Sequence, residues 1–112
     1  MTCKCVGRID CLTEKTKAWA KKHGINTLSC KTELLKITEE VGELAAATTR
    51  SNRRAMIDAV GDVYIALVNF AESAGLNIED CIESALLEVW GRKGMLINGS
   101  FVKEDDLQDE DW

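Results

Sequence analysis

Residues 39–67 read EEVGELAAATTRSNRRAMIDAVGDVYIAL. Glu39, Glu40 and Glu43 precede a short polar break; Asp58 and Asp62 follow it. Their surroundings are otherwise mostly apolar or small. On a helix advancing 100° per residue, Glu40 and Glu43 lie about 60° apart on one face, and Asp58 and Asp62 about 40° apart on another. Asn69 continues the aspartate stripe two turns further on. Carboxylates gathered in this way repel one another and lose hydration. Protonation, pairing with Lys or Arg, or a bound hard divalent cation relieves that cost, and carboxylate oxygens suit Mg²⁺ or Mn²⁺. The opposing reading makes Glu39, Glu40 and Glu43 a solvated face, with Lys36 paired to Glu40 or Glu43. Asp58 and Asp62 resist it better, because aspartate in so apolar a helix is expected to be buried or to line a cleft.

Four helices are expected to position these groups. The first, about 10–23, places Ile9, Leu12, Thr16, Trp19 and Ala20 along one face. The second, about 31–49, carries Leu34, Ile37, Val41, Leu44, Ala45 and Thr48 as its core stripe, with Ser29 or Thr27 as cap. The third, about 54–73, is apolar nearly all round and is expected to be central and buried. The fourth, about 78–93, follows Asn77 as cap and has Glu79 and Asp80 in its first turn, where the helix dipole favours acids. The reading is all-α: a four-helix bundle of two helical hairpins within one domain, residues 1–103. The break between the second and third helices is short enough for an antiparallel hairpin, which lets the two acidic stripes face each other. A short extended arm with a turn at Asn98-Gly99 follows, then an acidic, disordered tail at 104–112.

The bulk composition agrees. The chain has 112 residues, no proline and 5% aromatics, which argues against a strand-rich fold. The net charge is -5, and six acids fall in the last nine residues, EDDLQDEDW. No basic stripe points to duplex DNA. No apolar run is long enough to span a bilayer, and the N-terminus lacks the apolar centre of a signal peptide, so no membrane is expected and the location is read as cytoplasmic. The five cysteines, Cys3, Cys5, Cys11, Cys30 and Cys81, are odd in number and irregularly spaced, and are read as free thiols.

EEVGEL followed by DAVGDV resembles the MazG-like nucleoside triphosphate pyrophosphohydrolases of the all-α NTP pyrophosphatase superfamily. The resemblance covers roughly residues 10–103. LLKITEEVGELA belongs to it, and GRKGMLINGSFVKEDD is similar to the end of short phage-type members. It implies Mg²⁺, or Mn²⁺, held by an ExxE on one helix and an ExxD on the next. Glu40 and Glu43 match the ExxE and Asp62 the final Asp. Ala59 stands where the family usually has Glu, and Asp58 is the candidate substitute. The implied reaction is hydrolysis of a (d)NTP to the monophosphate and pyrophosphate by water attacking the α-phosphate. Glu39 or Glu43 is the candidate proton acceptor.

A triphosphate needs cations. The candidates are Lys36, Arg53, Arg54, Arg92 and Lys93, with Arg92-Lys93 favoured. Trp19 could stack on the base and Asn69 bond its edge. Two short helical hairpins rarely enclose a nucleotide, so a homo-oligomer is expected, a dimer at least and, as the resemblance implies, a tetramer. The alternative function is a catalytically degenerate protein that binds a nucleotide or alarmone and regulates.

Overall fold

A computed structural model describes residues 7–108. Four helices, α1 (Arg8–Lys22), α2 (Cys30–Thr49), α3 (Arg53–Ala74) and α4 (Ile78–Trp90), precede a two-stranded antiparallel hairpin, β1 (Gly94–Ile97) and β2 (Ser100–Lys103). Contacts divide the chain at Ile78 into two units.

The ends of the first three helices follow from local chemistry. Lys21 and Lys22 occupy the last turn of α1, where cations suit the dipole, and Gly24 takes the left-handed conformation just beyond it (φ 72°). Ser29 caps α2 by accepting from the Lys31 amide at 3.2 Å. The connection to α3 is only Arg50, Ser51 and Asn52. Ser51 sits in the left-handed region (φ 53°), which lets the Asn52 amide turn back onto the Ala47 carbonyl at 3.0 Å. Asn52 then caps α3 through the Ala55 amide at 3.1 Å. So tight a reversal makes α2 and α3 an antiparallel hairpin, the most extensive helix pair in the first unit.

Small residues let these helices approach closely: Ala20, Ala47, Ala59, Ala66 and Ala71 are all buried. Val68, Ala71 and Ile78 form the apolar cluster, with Tyr64 packed against it. α1 lies on α3, where the hydroxyls of Thr13 and Tyr64 share a 2.6 Å hydrogen bond.

Three expectations about packing are corrected. On α1 the inward residues are Thr13 and Ala20, while Ile9 and Trp19 are exposed. On α2 the inward stripe is Cys30, Glu33, Ile37, Glu40, Leu44 and Ala47, leaving Leu34 and Val41 outside. α3 is buried on one side only, since Ile57, Val60, Ile65 and Leu67 are exposed. A single hairpin with one helix laid on it has too little surface to cover an all-apolar helix. Cys11 is disulfide-bonded, against the expectation of free thiols, whereas Cys30 and Cys81 are free. Cys3 and Cys5 lie outside the described residues.

The second unit holds most of α4 and the β-hairpin. α4 closes at Trp90, and every side chain from Cys81 to Trp90 is exposed, Trp90 itself by 83%. The expected extended arm is the hairpin, paired from Gly94↔Lys103 to Ile97↔Ser100. Asn98 (φ 51°) and Gly99 (φ 81°) make the two-residue turn whose twist suits paired strands. A side chain at Gly94 would collide with the Val102 carbonyl and with the Phe101 ring. Glu104–Asp106 form a single 3-10 turn, and 109–112 of the acidic tail lie outside the described residues.

Candidate active site

Glu40 belongs to the inward stripe of α2 and is only 6% exposed. Glu39 and Glu43 flank it in solvent, and one carboxylate oxygen from each of the three lies within 4.8 Å of the other two. Lys36, one turn earlier, partly neutralises the group: its Nζ is 3.0 Å from Glu40 Oε1 and 3.6 Å from Glu39 Oε1. The other oxygen of Glu40, Oε2, is buried with no hydrogen-bond partner. The hydrogen bond to Glu40, joined by the charges of Glu39 and Glu40, raises the Lys36 pKa above the ordinary value. Glu43 is pushed up as well, chiefly by the Glu40 carboxyl beside it. A proton shared between two carboxyls is one of the three ways such a group relieves its repulsion.

A groove of about 330 Å³ runs between α2 and α3 beside this cluster. Glu43 lines it from α2; Asp58 and Asp62 line it from α3. Ala46, Ala47, Ala55 and Ala59 also line it, so its width comes from the absence of larger side chains there. Of the first acidic stripe only Glu43 shares this groove with the two aspartates; Glu40 is not among its lining residues, and the close carboxylate cluster, Glu39, Glu40 and Glu43, lies wholly on α2. Asp58 and Asp62 are exposed residues on a cleft wall, the second of the two situations expected for them. Ala59 is buried between them and adds no oxygen.

The substrate-binding candidates are more scattered. Lys36 is engaged with Glu39 and Glu40. Arg54 is exposed in the first turn of α3, outside the groove lining. Asn69 is buried two turns beyond Asp62, and its Oδ1 has no partner. Trp19 stands 49% exposed on α1, its ring tilted at 34° against His23 with centroids 4.8 Å apart. Arg92 and Lys93 belong to the second unit, where an Arg92 nitrogen is 3.4 Å from Glu88 Oε1. One groove residue escaped the sequence reading: Arg50, the C-cap of α2, lines the groove. The signal was present, since seven residues bring a helix back to within about 20° of the same face, so Arg50 follows Glu43 along one stripe.

The residues present fit a hard divalent cation. Their donors are carboxylate oxygens, three of them on α2 lie within 4.8 Å of one another, two aspartates line the adjoining groove from α3, and one buried oxygen of Glu40 has no protein partner. None of the helices among the described residues is long and apolar enough to cross a membrane.

No curated protein and no solved structure matches the chain. The family model of the MazG nucleotide pyrophosphohydrolase domain matches residues 28–93, the stretch that holds α2, α3, α4 and both acidic stripes. With more than half of its length matched, the chain belongs to the MazG nucleotide pyrophosphohydrolase domain family.

Proposed function

We propose that this protein is an Mg²⁺-dependent nucleoside triphosphate pyrophosphohydrolase, with Mn²⁺ as the alternative ion. One observation carries the reading: Glu43, Asp58 and Asp62 line a single groove beside Glu40, whose Oε2 is buried without a partner. Glu40, Glu43, Asp58 and Asp62 would hold the ion. When bound, it supplies positive charge to the phosphate oxygens and lowers the pKa of water.

The chain's own groups do the rest. The groove holds the triphosphate with its α-phosphorus near the acids. An oxygen of the attacking water bonds to that phosphorus as the bridge to the β-phosphate breaks, giving the monophosphate and pyrophosphate. Glu43 or Glu39 takes the water's proton. Lys36 keeps part of the cluster's charge compensated before substrate arrives. Phosphoryl transfer asks a protein for positioning and electrostatics more than for covalent chemistry, and this groove is built from such groups.

The family resemblance and the exposed apolar faces of α2 and α3 support a homo-oligomer, a dimer or a tetramer. Ala59 favours the second reading, a degenerate member that binds a nucleotide without turning it over.

Pyrophosphate release from a panel of canonical and modified (d)NTPs, with Mg²⁺, Mn²⁺ or EDTA, tests the proposal. Metal-dependent release that vanishes in Glu43→Ala is the expected result. Nucleotide binding without release would transfer the assignment to the regulatory reading, and binding of neither metal nor nucleotide would end both.

A further inference from the structure

We infer that Arg50 is the groove's anion-binding residue and that it receives the pyrophosphate end of the substrate, the part that leaves. The inference rests on the groove being the triphosphate site.

The basic candidates near the acids are unequal. Lys36 is held by Glu40 and Glu39 on α2. Arg50 lines the groove itself, which Asp58 and Asp62 line from α3, and forms no ion pair among the described residues. It lies two turns beyond Glu43, about 10 Å along the helix axis, on nearly the same face. Arg50 lines the same groove as Ala46, Ala47 and Glu43 of α2. Those alanines leave the space between Glu43 and Arg50 open.

The groove is therefore polarised. Carboxylates gather at one end. At the hairpin turn stand Arg50, Arg53 and Arg54, with the amide-rich start of α3 beside them. Beyond the acids, the α3 stripe leads instead to the buried amide of Asn69. With the α-phosphorus at the carboxylates, the β- and γ-phosphates extend toward the arginine end. A guanidinium donates two parallel hydrogen bonds to phosphate oxygens, which an ammonium cannot reproduce.

Inorganic pyrophosphate and Mn²⁺ are the probes, titrated calorimetrically into the full-length protein and into Arg50→Ala and Arg50→Lys. Mn²⁺ alone is expected to bind all three with Kd values within about threefold of one another. With Mn²⁺ saturating, pyrophosphate is expected to bind Arg50→Ala about 10- to 100-fold more weakly than the parent, with Arg50→Lys between. Arg50→Lys keeps the charge at the end of α2, so its loss of affinity stands even if the alanine variant folds poorly. Unchanged pyrophosphate affinity in both variants overturns the inference. So does several-fold tighter Mn²⁺ binding by Arg50→Ala with pyrophosphate unaffected, which is the result for an arginine that only balances the carboxylates. A parent that binds Mn²⁺ but not pyrophosphate also overturns it while leaving the metal site standing. A parent that binds neither removes the functional proposal beneath it.

Discussion

Lys36 Nζ lies 3.0 Å from Glu40 Oε1, yet the lysine side chain is half exposed while that of the glutamate is almost wholly buried. Removing the lysine leaves a buried carboxylate short of its counter-charge. Lys36→Ala is predicted to lower the Tm of the metal-free protein only slightly, because the lysine end of the pair is screened by water. Mg²⁺ should then raise the Tm of the variant by more than it raises the parent's. Melts with EDTA and with Mg²⁺ check this, and identical gains in the two proteins would refute it.

The pH dependence follows from Glu43. Its carboxyl is raised above 4.5 in the folded chain, chiefly by the Glu40 carboxyl beside it. The folded state thus binds more protons than the unfolded state in the interval from 4.5 up to the raised value, so metal-free stability falls as pH rises through that interval. Glu43→Gln should flatten this slope. Added Mg²⁺ should reverse it, because the ion binds the deprotonated group. Tm measured against pH at constant ionic strength decides the matter.

Asp58 and Ala59 are adjacent on the groove wall, and only Asp58 offers oxygen. Asp58→Ala is predicted to cut pyrophosphate release about 100-fold, the usual scale for losing one electrostatic stabiliser. Adding Ala59→Glu to Asp58→Ala should recover at least part of that loss. Full activity in Asp58→Ala alone would remove Asp58 from the metal-binding set.

Ser51 holds a left-handed conformation at the α2–α3 turn, φ 53°. For a residue with a Cβ this costs about 1–2 kcal/mol, a strain glycine does not bear. Ser51→Gly is predicted to stabilise the fold by about 0.5–1 kcal/mol, after allowing for glycine's greater freedom when unfolded. A chemical denaturation curve measures the gain, and a fall in stability would show that the turn depends on the serine side chain.

Leu34 and Val41 are seven residues apart on α2 and both exposed, while Leu35 beside them is 72% exposed. Exposed apolar side chains such as these are where the proposed homo-oligomer would bury surface. Multi-angle light scattering is predicted to find a dimer or larger species, and Leu34→Glu with Val41→Glu a smaller one. A monomeric parent would refute the oligomer.

The acidic pattern was readable because helical spacing converts directly into facing. A period and a short connection were enough to put Glu43, Asp58 and Asp62 on one groove, and four helices followed from the same periodicity. The inward side of α2 was not readable. Ranking by apolarity selects Leu34 and Val41, but the close crossing of α2 and α3 favours small residues and admits Glu33 and Glu40 beside Ala47. Arg50 was missed for a related reason: it closes the helix, and a cap is easily read as punctuation. The turn at Asn98-Gly99 was legible because two successive positive φ angles restrict the residues that can hold it.

The three-residue turn between α2 and α3 also governs the order in which the molecule assembles. Chain segments joined by so short a loop find each other sooner than those that must close a long one. α1, by contrast, is fastened through Thr13 and Tyr64, 51 residues apart in the chain. The α2–α3 pair should form first in refolding and its amides should exchange with deuterium last, with α1 docking afterwards. The acidic groove, built wholly within that pair, would then exist before α1 has docked.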